Sequence, residues 1–113
     1  MQRKRPERGP ILRLFEVRAT AGCVAELLEK FATTSARVVQ GQPGNEGYFF
    51  GQQIAAEEET VLFASVWRDL DAVKARFGDD WESSFLPDGY EALINTCSVR
   101  HVDLSGGWHL EPS

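Results

Sequence analysis

The run from Ile11 to Arg18, ILRLFEVR, constrains the fold more than any other stretch of the chain. Successive side chains of a strand point to opposite faces. Ile11, Arg13, Phe15 and Val17 therefore share one face, and Leu12, Leu14, Glu16 and Arg18 the other. Both faces carry apolar residues, which predicts a central strand covered on both sides. Arg13 and Glu16 fall inside it on opposite faces, and a charge taken out of water needs a partner. Arg13, on the side of Phe15 and Val17, reads either as a holder of a substrate anion or as half of an ion pair across an interface. Glu16 reads as an ion-pair residue.

Downstream, Thr20 offers an N-cap, and Val24, Leu27, Leu28, Phe31, Ser35, Val38 and Val39 follow at amphipathic helical spacing. Gly41, Pro43 and Gly44 stop that helix. Residues 47–55 and 60–67 read as two strands joined by a hairpin whose tip is Glu57-Glu58-Glu59. Asp69 caps a second helix with Leu70, Val73 and Phe77 on one face and Gly78 at its end. Residues 79–95 hold Trp81, Phe85, Leu86, Pro87 and Tyr90 and read as short helical turns anchored by aromatics. Residues 98–104 form the last strand. The order β-α-β-β-α-β, with two right-handed crossovers around a hairpin, predicts an α+β ferredoxin-like fold: a four-stranded antiparallel sheet with both helices on one face. The opposite face keeps Leu12 and Leu14, and no third layer remains in the sequence to cover it. A second copy closing sheet to sheet, a dimeric α+β barrel, is the expected solution.

The chain has 113 residues, enough for one domain that folds without a metal or disulfide staple. We divide it into a basic flexible tail at 1–10, a domain at 11–104 and a loosely ordered C-terminal tail at 105–113. Cys23 and Cys97 are far apart and read as free thiols of a reducing cytoplasm. The tail over residues 1–10 carries a net +3, leaving −8 on the rest of a chain whose net charge is −5. An acidic body argues against nucleic acid as a partner, because phosphate binding needs a basic surface on the folded domain. No apolar run is long enough to span a bilayer, and no signal-peptide pattern follows the basic residues, so a cytoplasmic protein is expected.

The segment Ser65-Val66-Trp67-Arg68-Asp69-Leu70-Asp71-Ala72-Val73, its continuation Phe77-Gly78-Asp79-Asp80-Trp81 and the later Val99-Arg100-His101 carry a family resemblance. Over about residues 11–104 the chain resembles the antibiotic biosynthesis monooxygenase-like domains of the dimeric α+β barrel superfamily. That family includes oxygenases that hydroxylate polycyclic phenols without metal or flavin, and haem-degrading enzymes. The haem-degrading pattern places an Asn on the first strand and a Trp and a His on the second helical region. The positions matched to them here are Val17, Arg76 and Leu86, none of which fits, so haem binding or degradation is the least favoured of the readings the resemblance implies.

The residues themselves offer no metal-ligand spacing: His101, His109, Cys23 and Cys97 are isolated, and His109 falls in the tail. No phosphate-binding glycine loop or nucleophile motif is present either. The expected chemistry is a cofactor-independent monooxygenase acting on a small or polycyclic hydroxyaromatic, needing a dry aromatic pocket, a base and donors for the anion. A non-catalytic dimer that binds a small aromatic ligand in the same pocket is the alternative. His101 is the base candidate by its ordinary pKa, or else a structural histidine. Arg13, Phe15, Val17, Trp67, Trp81, Phe85 and Tyr90 are the candidate substrate-binding residues. For Trp67 the alternative is packing at the strand–helix corner, and for Trp81, Phe85 and Tyr90 it is anchoring of an irregular segment.

Overall fold

The computed structural model of the chain describes residues 9–55 and 57–108. His109 and most of the basic tail lie outside the described residues. Strand β1 (Ile11–Ala19) is followed by a helix in three parts, then β2 (Asn45–Gln52), β3 (Thr60–Trp67), helix α3 (Leu70–Phe77) and β4 (Ile94–Asp103). The strands form one antiparallel sheet in the order β2-β3-β1-β4. This is the ferredoxin-like α+β arrangement expected from the element order, with β1 in its interior.

Register explains the core. Phe15 lies opposite Phe63 on β3 and Val99 on β4, and Val17 opposite Val61 and Cys97. The alternating burial of β1 follows this face: Ile11, Arg13, Phe15, Val17 and Ala19 are all buried. The helices pack onto it through Leu27, Phe31, Val39 and Val73, all fully or nearly fully buried. Phe31 is the hub, with its ring centroid 5.4 Å from Phe63, 6.1 Å from Phe15 and 6.2 Å from Phe50. Tilted and edge-on aromatic contacts at these distances add to the stabilisation from buried area.

The first helix departs from its expected form. It begins at Val24 after Cys23, with no side-chain cap. Thr20 is exposed and meets the helix start through its backbone carbonyl, which accepts Cys23 N–H at 3.0 Å, while its own N–H donates to the Leu93 carbonyl at 2.9 Å. The chain turns at Gly22, whose φ of +82° favours glycine, and this moves the start beyond reach of the Thr20 hydroxyl. The helix then runs as α1 (Val24–Lys30), a π-turn over Phe31–Ser35 and α2 (Ala36–Val39). Thr33 Oγ1 donates back to the Glu29 carbonyl at 2.9 Å within this stretch, the local competition that hydroxyl side chains bring to helix interiors.

Asp69 does cap α3, its carboxylate accepting Ala72 N–H at 2.9 Å, and Gly78 ends it. Strand β2 starts two residues earlier than expected and stops at Gln52, because a bulge lies between Asn45 and Gly47 and the chain turns at Gln53–Ala55. Strand β4 starts at Ile94 rather than 98, since Ala19 still pairs with Ile94 across an irregularity in the ladder. Gly44, at φ +85°, sits where a Cβ would meet the Ala72 side chain at 2.5 Å, and its carbonyl accepts Arg68 N–H. The turn into β2 thereby locks to the start of α3.

The other sheet face carries Leu12 and Leu14 from β1, Leu62, Ala64 and Val66 from β3, Phe49 from β2 and Val102 from β4. Phe49 is 46% exposed and Val102 43%. Glu16 meets Arg100 there, at 2.9 Å. Among the described residues, no helix is long and apolar enough to cross a membrane.

Candidate functional site

Between the sheet and the helices lies a cavity of about 40 Å³, lined in part by Arg13, Phe15, Phe63, Ser65, Phe77 and Phe85. Ser35, Val38 and Val39 close it from the π-turn and α2, and Pro87 stands with Phe85 at the segment between α3 and β4. Its walls are mostly aromatic and aliphatic. A benzene-sized ligand needs roughly 150 Å³, so a ring enters only when the mouth residues move. Phe85 is 47% exposed and is the side chain with room to do so.

Arg13 dominates the polar part of the cavity. Alternation on β1 carries this cation onto the helix-covered face, where it is only 5% exposed. Its Nη1 donates to the Trp81 carbonyl and lies 3.1 Å from His101 Nε2, and its Nη2 donates to the Ser83 carbonyl at 3.0 Å. The Phe77 ring covers its face at 3.8 Å. No ion pair among the described residues involves it. Burial lowers its pKa to about 10, so it remains a cation at neutral pH.

His101 pairs with Arg13 across β1 and β4. Because Arg13 can only donate, the contact requires the His101 Nε2 lone pair as acceptor and places the imidazole proton on Nδ1. Burial, and then the Arg13 charge, push the His101 pKa down to about 4. The folded chain thus binds the histidine proton less readily than the unfolded one. Stability associated with His101 is full above about 6.5 and lost as the pH falls from 6.5 through 4. Thermal unfolding between pH 7.5 and 4.5 should show His101→Asn losing less of its melting temperature than the unaltered protein. Equal losses would mean that the imidazole is not held neutral.

Of the other residues singled out from the sequence, Phe15 and Phe85 line the cavity, and Val17, Trp67, Trp81 and Tyr90 do not. Val17 is fully buried in the core. Trp67 is fully buried, its indole N–H donating to Ser65 Oγ at 2.8 Å and its ring edge against Phe77 at 5.8 Å. Trp81 flanks the site instead, its ring 5.0 Å from His101 and 5.4 Å from Lys74 Nζ. Tyr90 is a tie: its hydroxyl meets Ser35 Oγ at 2.6 Å and donates to the Lys30 carbonyl at 3.1 Å. Ser35, Ser65 and Phe77 join the site without having been singled out. Ser65 could have been found from the strand pattern, since it shares a face with Trp67 and Phe63. Cys23 and Cys97 are free and half-buried. Among the described residues, no group of three His, Cys, Asp or Glu side chains could hold a metal ion.

An apolar cavity under a helical layer, with one buried cation at its polar end, is the candidate small-molecule site of this ferredoxin-like scaffold. The family model described as antibiotic biosynthesis monooxygenase matches residues 10–80, and the chain belongs to that family. A comparison with curated protein sequences finds no match. Among solved structures the chain is similar to PA3566 from Pseudomonas aeruginosa, at 18% identity and TM-score 0.65, covering 86% of this chain and 95% of that one. It is similar also to SnoaB, a cofactor-independent oxygenase from Streptomyces nogalater, at 16% identity and TM-score 0.64, with 86% and 94% covered. The heme-degrading protein Rv3592 from Mycobacterium tuberculosis matches at 18% identity and TM-score 0.61, over 92% and 99%. At these identities the likenesses establish the shared fold.

Proposed function

We propose that the chain is a cofactor-independent monooxygenase of hydroxyaromatic compounds, acting as a homodimer. The observation that carries this reading is Arg13, a buried cation with no carboxylate partner among the described residues, set at the end of an aromatic cavity. A hydroxyaromatic anion supplies the missing charge, and the apolar walls exclude water from it. The electrons for reducing dioxygen come from that anion. One oxygen atom enters a ring carbon as a quinone carbonyl, and the two hydrogens that the substrate gives up leave with the other oxygen atom as water, so no outside reductant is needed. In this reading Arg13 holds the anionic oxygen, Phe15 and Phe85 flank the ring, and His101 keeps Arg13 in place through its neutral imidazole.

A haem reading finds less support. Val17 is core, Arg76 Nε donates to the Val38 carbonyl at 2.7 Å, and Leu86 is half-buried against the core. His101, the one histidine among the described residues, has its Nε2 turned to Arg13.

The apolar face of Leu12, Leu14, Phe49 and Val102 supports the dimer in this reading, because a second copy would take it out of water. Oxygen uptake by the purified, metal-stripped protein against anthrones, naphthols and hydroquinones tests the reading, with autoxidation blanks alongside. Uptake above the blank with an oxygenated product is expected. Binding without uptake would move the chain to the non-catalytic ligand-binding alternative.

A further inference from the structure

Arg13 and Ser65 are cross-strand neighbours on the helix-covered face, 5% and 2% exposed, and both line the cavity. A guanidinium has five N–H groups. Two on Nη1 are directed to the Trp81 carbonyl and His101 Nε2, and one on Nη2 to the Ser83 carbonyl. The Nε–H and the second Nη2–H meet no acceptor among the described residues. Ser65 Oγ receives the Trp67 indole N–H, which leaves its own O–H likewise without an acceptor there. The remaining hydroxyl of the cavity, on Ser35, is tied to Tyr90. The polar end of the cavity thus offers donors on two almost fully buried side chains and a positive charge with no counter-ion among the described residues.

We infer that Arg13 and Ser65 together seat a single oxygen anion carried by an aromatic ring, and that the ligand is held as a phenolate whose proton has gone to solvent rather than to the protein. The inference rests on the same cavity as the proposed activity, but it concerns equilibrium binding and stands apart from turnover. An acceptor-only ligand atom is what a donor-only seat recognises. The rings of Phe15, Phe63 and Phe77 fit an aromatic carrier better than an aliphatic one.

Among the described residues that line the cavity, none is a carboxylate. From β4, His101 has its lone pair directed at Arg13, and burial with the Arg13 charge favours its neutral form. Tyr90 faces Ser35 and the Lys30 carbonyl, and burial raises its pKa. Tyr48 of β2, opposite Ser65, stacks on Phe63. From α3 come only cations, Arg76 near Phe77 and Phe85 and Lys74 over Trp81.

The test is calorimetry on the full chain with 4-cyanophenol and its methyl ether, one pH unit below the phenol's pKa, in two buffers of different ionisation enthalpy. Close to one proton should be released per phenol bound. The apparent Kd should rise about tenfold per pH unit below the phenol's pKa and level off above it, as binding of the anion alone requires. The ether should bind at least tenfold more weakly, and Ser65→Ala should weaken the phenol about tenfold while leaving the ether unchanged. The ether comparison uses the unaltered protein and decides the matter even if that variant fails to fold. Binding without proton release, ether binding equal to phenol binding, or no phenol binding each overturns the inference. Oxygen uptake without proton release would keep the oxygenase and remove the seat; proton release without uptake would do the reverse.

Discussion

Arg13→Met is expected to lower oxygen uptake with a hydroxyaromatic substrate by about 10²–10³-fold, the usual consequence of removing a donor to a developing or held anion. The linear methionine side chain fills much of the same volume without the charge. Stability should change far less than activity. The variant leaves the Trp81 and Ser83 carbonyls and His101 Nε2 without their donor, yet it also relieves the burial of an unpaired cation. Both carbonyls lie on a surface segment and can turn to water, so a net loss of about 1–2 kcal/mol is expected. Arg13→Lys separates charge from geometry. It keeps the cation but lacks the planar fork that reaches both carbonyls and the imidazole, and should recover only part of the lost rate. Full activity in Arg13→Met, measured beside an unchanged melting curve, would remove Arg13 from the chemistry.

Leu14→Glu should abolish the homodimer. Leu14 stands in the middle of the open sheet face, opposite Ala64 on β3 and Arg100 on β4. Two-fold packing brings the same face of each copy together, so one substitution introduces two carboxylates into one interface. Light scattering on the unaltered protein should give about twice the 12.6 kDa chain mass, and the variant should scatter as a monomer or lose solubility. A monomeric unaltered protein at low micromolar concentration would leave Phe49, Val102 and their neighbours open to water and would refute the dimer.

The central strand was legible because alternation over Ile11–Arg18 is a local property, and Asp69 was legible because its cap needs only the next three residues. The Thr20 cap looked equally local, but a glycine turn intervenes and moves the helix away from it. The site was harder to read. That Arg13 lies beside Ser65 and His101 depends on the register of three strands, and register comes from packing over the whole sheet. Phe15 and Phe85 could be picked out by type alone. Trp67 and Tyr90 are large aromatics as well, but their polar atoms are tied to Ser65, Ser35 and the Lys30 carbonyl within the core, which composition does not reveal. The π-turn leaves no mark on the spacing, since Leu27, Phe31, Ser35, Val38 and Val39 satisfy an ordinary helical pattern too.

That π-turn bears on how the chain tolerates changes in length. A π-turn holds one residue more than an α-helical turn needs. Removing Ala32 or Thr33, the exposed residues of this turn, lets α1 and α2 join as an unbroken α-helix with both apolar faces still toward the sheet. Removing one elsewhere in the helix rotates everything beyond it by about 100° and swings Val38 and Val39 off the cavity. The helix therefore has one place where a single codon can be lost in frame and the fold kept, and it is the turn that presents Ser35 to Tyr90.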